Sequence, residues 1–465
     1  MRSHSPQDAL PRAVHPFRLG LASVLFATLL LLLALTGGYS RYDTSLLAIL
    51  RPLLVVIAAV FLMLPTGELA RMTRGPAALL AVLGIIVTLQ LVPLPPTIWA
   101  VLPERAGYMQ VAAWTGQPQP WRPLTLVPML TLNSLLALLP AAVMAIALSR
   151  LNARDMRFAV AVMLTLGVAS AVLGVIQIGT GAGYLYRNFS AGLPTGFFSN
   201  RNHQAVFLAS LIPLLAIWAV YPGRSGPKIP LMTRQITAGA GAILFVVTIL
   251  VTGSRTGLLL AGFNVLAAGW LVLRAPSSRT RRKNALPLLA LGAVLAVLVV
   301  TAVYLGRGGG NSRLSELDAG TEMRVRAWPV LRELVATYLP WGSGFGTFDP
   351  LFRMHEPDVL LKPTFFNNAH NDLVELAITG GAPALLLLVA LVAWLVRRTV
   401  VATRDWHAAP SWGSALPLVG ATMAASWLLA SLSDYPLRTP FAGAVFMLAC
   451  CLMATDRAAR ERGGL

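Results

Sequence analysis

Residues 18–36 read RLGLASVLFATLLLLLALT, and no charge interrupts the run after Arg18. A helix needs about 20 apolar residues to cross a bilayer, and this run meets that length. Eleven similar runs follow, at roughly 45–64, 76–94, 130–148, 157–178, 204–220, 236–252, 256–273, 285–305, 376–396, 414–432 and 438–454. The pattern predicts about 12 transmembrane helices. The first run follows a basic N-terminus, as a signal peptide would. No small-x-small cleavage site comes after it and many more spans do, so it reads as a retained helix.

Composition agrees with this reading. Of 465 residues, 56% are hydrophobic and 12% charged, and the mean hydropathy is +0.69. Soluble proteins carry about 25% charged residues. A disordered chain, a disulfide scaffold and a coiled coil are excluded, and the expected fold is an all-α polytopic membrane protein, a single membrane domain over 1–465. Cys450 and Cys451 are adjacent in an apolar run, which suits packing and fits neither a normal disulfide nor a metal site.

The formal net charge is +19. In a soluble protein that balance would suggest nucleic acid; here the placement of the cations explains it. With the N-terminus inside, the internal loops and termini hold 22 of the 37 Lys and Arg residues, the opposite side 14, and Arg51 lies within a span. Short basic loops mark the cytoplasmic side. Both termini are therefore expected in the cytoplasm, with the lipid bilayer as partner and no nucleic acid. The cluster Arg279–Lys283 serves as a topology signal that can also touch anionic lipid.

Three polar segments are left for the outer face, at about 95–129, 180–203 and 306–371. The first holds Trp99, Trp114 and Trp121, expected as interfacial anchors. The third separates the ninth and tenth spans. It opens on the flexible stretch Gly308-Gly309-Gly310-Asn311-Ser312. An amphipathic helix is predicted over 327–338, with Trp328, Leu331, Val335 and Tyr338 on one face and Pro329 in the first turn. Pro340-Trp341-Gly342-Ser343-Gly344-Phe345-Gly346 is turn-rich, and the loop closes on Asn367-Asn368-Ala369-His370-Asn371-Asp372. A loop of this length among short connections points to function.

On the outer face the histidines are His203, His355 and His370. His203 and His370 stand where outer segments enter membrane helices, while His355 lies in a solvated loop. Arg201, in Ser-Asn-Arg-Asn-His, and Arg255, in the hairpin Thr-Gly-Ser-Arg-Thr-Gly, have the same placement. Arginine in membrane-embedded protein is costly and persists where an anion or a function repays it. The acidic pairs Glu316/Asp318 and Glu356/Asp358 read as solvated rather than metal-binding. Asp372 and Glu375 follow His370 on its helix and suit its orientation and the helix dipole.

Gly-Phe-Phe-Ser-Asn-Arg-Asn-His at 196–203, the Arg255 hairpin, Arg324-x-x-x-Trp328 with the following Pro340-Trp341-Gly342-Ser343-Gly344-Phe345-Gly346, and His370-Asn371 together resemble the O-antigen ligase and O-antigen polymerase superfamily. The motifs span about 190–395, and the span plan resembles the family over the whole chain. The resemblance implies a bacterial inner-membrane enzyme with a C-type glycosyltransferase-like fold and a periplasmic active face. It implies transfer of a glycan from undecaprenyl diphosphate to an acceptor, which is the lipid A core for ligases and a lipid-linked repeat for polymerases. It further implies that Arg201, Arg255 and Arg324 hold the diphosphate, with Asn202, His203 and Asn371 on the substrate side and His370 serving the acceptor. One departure stands out. After His370-Asn371 and nine residues, ligases often show Gly-x-x-Gly-Thr-Thr; this chain has Gly381-Ala382-Pro383-Ala384-Leu385-Leu386, which leaves ligase and polymerase both open.

That chemistry suits these residue types. Diphosphate is a good leaving group, and arginine meets its growing charge bidentately at any relevant pH, so neither metal nor cofactor is expected. A sugar hydroxyl is a poor nucleophile, and a neutral histidine can take its proton. Two other classes compete, a polytopic transporter and an inert scaffold. Transporters usually carry ionisable residues at midspan, where this chain has almost none.

Overall fold

The computed structural model describes residues 20–41, 44–186, 192–221, 229–274, 312–361 and 366–455, and for 312–324 the backbone alone. Among them the regular structure is helical, apart from one antiparallel pair of two-residue strands, β1 (Pro93–Leu94) and β2 (Arg122–Pro123).

The helices before the central one are α1 (Leu21–Thr36), α2 (Leu46–Met63), α3 (Ala70–Leu89), α4 (Pro96–Trp99), α5 (Ala106–Trp114), α6 (Pro128–Leu136), α7 (Leu139–Leu148) and α8 (Ala153–Thr180). Then come α9 (Arg201–Val220), α10 (Leu231–Thr252), α11 (Arg255–Leu273), α12 (Ser312–Tyr338), α13 (Phe348–His355), α14 (Asp372–Ala408), α15 (Trp412–Ala430) and α16 (Pro440–Met453). Among the described residues, nine helical segments are long and apolar enough to cross a membrane: α2, α3, α6 with α7, α8, α9, α10, α11, α14 and α15. The apolar helices α1 and α16 are shorter, at 16 and 14 residues. These segments coincide with eleven of the twelve apolar runs. The run at 285–305 lies outside the described residues, as do the Gly308–Asn311 stretch and the Arg279–Lys283 cluster.

Beyond its polar first turn, helix α9 is apolar on nearly every side and buried along nearly its whole length, as expected of a helix at the centre of a bundle. It packs against α8, α10, α11 and α15. Small residues allow the closest approach: a Cβ on Gly257 of α11 would fall 2.4 Å from Cβ of Ala205 on α9. Cys450 and Cys451 are buried thiols of α16.

The connections gather at two ends. At one end Phe441 N donates to Gly37 O (2.8 Å), Ser199 N to Gly38 O (3.0 Å), Leu126 N to Ser343 O (2.9 Å) and Asp372 N to Ser431 O (2.8 Å). At the other, Gly67 N donates to Ser149 O (2.9 Å) and Arg398 Nε to Met453 O (2.9 Å).

The third polar segment differs from its expected form. Helix α12 begins at Ser312, not near 327, so Pro329 is internal rather than in the first turn. Its buried face is Ala327, Leu331, Leu334 and Tyr338, whereas Trp328 is 51% exposed. Residues 312–326 carry no apolar stripe, so hydrophobic periodicity begins only where α12 meets its core. That core joins α12 to Phe348, Leu351 and Phe352 of α13 and to Phe366, Ala369 and Ile378, on either side of His370. The anchor reading also fails for Trp99: it is 3% exposed, against 79% for Trp114 and 65% for Trp121, and its indole N–H donates to Pro123 O (3.1 Å).

Candidate functional site

The starts of α9, α11 and α14 lie at one end of the bundle, and the turn 431–439 between α15 and α16 ties them together. Each helix is capped by the residue before it. Asn200 Oδ1 accepts from Asn202 N (2.8 Å), Ser254 Oγ from Gly257 N (3.1 Å) and Asn371 Oδ1 from Leu373 N (3.0 Å). Arg201 and Arg255 are thus the first residues of two capped helices. A helix N-terminus favours anions, and an arginine there adds a full charge.

Asp434 is the hub of the turn. Its Oδ2 accepts from Asn202 Nδ2 (2.9 Å) and from Asn200 Nδ2 (3.2 Å). Its Oδ1 faces His370 Nδ1 at 3.3 Å, and Oδ2 lies 3.9 Å from His203 Nε2. Burial disfavours its charge, yet the His370 hydrogen bond, the His203 and His370 charges and the Asn202 amide prevail. They hold the Asp434 carboxyl well below the usual carboxylate range. Tyr435 stands between the two imidazoles, its ring edge-on to His370 (4.9 Å) and to His203 (5.7 Å).

A second ion pair fixes the approach to His370. Arg438 Nε meets Asp372 Oδ1 at 3.0 Å and its Nη1 meets Glu375 Oε1 at 2.9 Å. Glu375 Oε2 in turn accepts from Ala369 N (2.9 Å). Burial opposes the Arg438 charge, but the two carboxylates more than offset it and raise its pKa. The His370 backbone sits in the left-handed region at φ +49°, a strained choice for a non-glycine residue that neighbouring contacts must enforce.

The residues singled out in the sequence fall as follows. Asn202, His203 and His370 gather around Asp434. The His370 side chain is 22% exposed and that of His203 is fully buried, so His203 faces protein rather than an incoming substrate. The Arg201 guanidinium lies over the hairpin that carries Arg255, 3.9 Å from where a Cβ on Gly253 would be. Arg255 itself is exposed, and its neighbour Thr256 bonds Ser433 through their hydroxyls (2.9 Å). Asn371 acts as a helix cap. The side chain of Arg324 lies outside the described residues, as do those of Glu316 and Asp318. Asp358 is exposed. Among the described residues no three His, Cys, Asp or Glu side chains gather as a metal site.

Sequence reasoning missed Asp434, Tyr435 and Arg438. One signal was available: Asp434 and Arg438 are the only charged residues between His407 and Asp456.

With Nδ1 committed to Asp434, His370 Nε2 is the nitrogen that would take a proton, and the carboxylate steadies the imidazolium that results. Residues 240–389 match the family model described as O-Antigen ligase. The matched stretch holds Arg255, Arg324, His370 and Asn371; Arg201, Asn202, His203 and Asp434 lie outside it. No curated protein matches the chain.

Proposed function

We propose that the chain, whose residues 240–389 match the O-Antigen ligase family model and which carries several helices long and apolar enough to cross a membrane, transfers a glycan from undecaprenyl diphosphate to an acceptor hydroxyl. The acceptor is the lipid A core or another glycan. The reaction takes place at the periplasmic face of the bacterial inner membrane, with both termini in the cytoplasm. The orientation is supported by the placement of cations along the sequence, 22 of the 37 Lys and Arg residues falling in the short loops and termini of the side opposite His370 and 14 on the side of His370.

Arg201 and Arg255, with the N-termini of their helices, hold the donor diphosphate; Arg324 is the third candidate for that role. The acceptor oxygen attacks the glycan's anomeric carbon while the bond from that carbon to the phosphate oxygen breaks. His370 Nε2 takes the hydroxyl proton, and the electron pair leaves with undecaprenyl diphosphate. Guanidinium groups stabilise that departing charge, which preorganised donors do by several kcal/mol. A single displacement inverts the anomeric centre. Asp434 is a positioning residue that fixes the His370 tautomer. His203 supports Asp434 from behind, and Asn202 and Asn371 hold the frame on the substrate side. No metal takes part.

The observation that carries this reading is the His370–Asp434 contact, 3.3 Å long, at the bundle end where Arg201 and Arg255 begin their helices. The departure at Gly381–Leu386 supports polymerisation of lipid-linked repeats as the second reading. Lipid-linked glycans extracted from a strain lacking the chain test the proposal. Accumulated undecaprenyl-linked polymer is expected for a ligase and accumulated single repeats for a polymerase. An unchanged lipid-linked pool would reject both and return the transporter to consideration.

A further inference from the structure

A second polar cluster lies at the same end of the bundle, between the segment 93–124 and the end of α12. The β1–β2 pair sets Arg122 opposite Leu94. Arg122 and Arg105 lie over one indole, with guanidinium carbons 5.4 Å and 5.0 Å from the Trp99 ring centre. Arg122 also lies 5.6 Å from the Tyr108 ring. Two like charges over one ring repel each other, and among the described residues neither arginine is paired with a carboxylate.

Their donors are not used up either. Arg105 is 3% exposed and donates through Nη2 to Leu124 O. Among the described residues its Nε and Nη1, Nε of Arg122 and the hydroxyl of Tyr338 have no hydrogen-bond partner. Tyr338 is 2% exposed; burial pushes its hydroxyl up to about 12, the Glu104 charge adds to this and Arg105 opposes it. Leaving buried polar atoms unpaired is costly, so three such side chains in one place call for an occupant. Glu104 is exposed and, with His370, is one of two non-glycine residues at positive φ among those described, at +58°. On the open side Tyr108 is 40% and Trp121 65% exposed.

We infer that this cluster is a binding site for a sugar bearing a phosphate or a carboxylate. The guanidinium groups of Arg122 and Arg105 meet the anion bidentately. The Tyr338 hydroxyl and the Glu104 carboxylate bond sugar hydroxyls, and the open faces of Tyr108 and Trp121 cover the ring. Glu104 disfavours a bare polyanion or an anionic lipid surface, whereas a sugar supplies the donors a carboxylate needs. The inference concerns binding and stands apart from the transfer reaction.

Calorimetry on the full chain in neutral detergent tests it, with glucose 6-phosphate as probe. Saturable binding is expected, about tenfold or more tighter than that of glucose or inorganic phosphate. Arg122→Gln should weaken it about tenfold, while Arg74→Gln, an exposed position at the opposite end of the bundle, leaves it unchanged. Tyr338→Phe should weaken it several-fold without lowering the melting temperature, since it deletes only the unpartnered hydroxyl. A purely structural role for the hydroxyl predicts no change in affinity, and this variant decides the matter if Arg122→Gln does not fold. Binding lost with Arg255→Gln but kept with Arg122→Gln would overturn the inference. So would equal affinity for inorganic phosphate, or displacement of the probe by phosphatidylglycerol vesicles.

Discussion

Asp434 joins the start of α9 to His370 through one carboxylate, and its replacement is the most informative single change at the residue scale. Asp434→Asn keeps the size but loses the charge that fixes the His370 tautomer. Transfer should fall by about 10²–10⁴-fold, with the variant still inserted in the membrane. Unchanged turnover at normal protein levels would remove Asp434 from the mechanism. The same carboxyl makes a pH statement. Its folded pKa lies below its unfolded value, so its contribution is fully present above the ordinary carboxylate pKa of about 4 and is lost as pH falls through the folded value. The melting temperature in detergent should therefore drop below about pH 4 in the native chain, and Asp434→Asn should flatten that part of the profile. Arg201, Arg255 and His370 were legible because polar residues at the mouths of apolar runs stand out. Asp434 was not, because Ser-Asp-Tyr-Pro-Leu-Arg between two spans has no motif. Its importance arises from two other segments, residues 200–203 and His370, that converge on it only in the fold.

Helix α14 breaks at Gly381, where φ is +62°. The break lets the turn 340–346 lie against it, with Ser343 N donating to Ile378 O (2.9 Å) and Gly344 N to Thr379 O (3.0 Å). A Cβ on Gly381 would stand 2.3 Å from Pro340 O. Gly381→Ala should therefore cost about 2 kcal/mol or more, from left-handed strain and a backbone clash together. The loss would be read as a lower melting temperature and less folded protein in the membrane; a variant that melts with the native chain would contradict this packing. Most spans were readable at this scale, because length and apolarity decide them. Two features were not. The run at 130–148 is two helices meeting at Ala137–Leu138, and α12 starts fifteen residues before its expected start at 327, where no apolar face announces it.

The orientation of the whole molecule rests on cation placement. A membrane-impermeant thiol reagent applied to intact spheroplasts should label Gln117→Cys and spare Ala408→Cys, both exposed positions at opposite ends of the bundle; the reverse would invert the protein. Cys450 and Cys451 are buried and should stay silent. Transfer by the purified chain should survive EDTA, and a strict need for Mg²⁺ or Mn²⁺ would move attention to the acidic pairs of 306–371. In the proposed reaction His370, held by Asp434, takes the acceptor proton while the arginines hold the donor. That step is tested most directly by comparing His370→Ala and His203→Ala in liposomes supplied with undecaprenyl-diphosphate-linked glycan and acceptor. His370→Ala should lose about 10²-fold or more of transfer with donor binding retained, while His203→Ala, altering a buried side chain, should change folded yield more than turnover per folded molecule. Transfer abolished in His203→Ala and near normal in His370→Ala would contradict it.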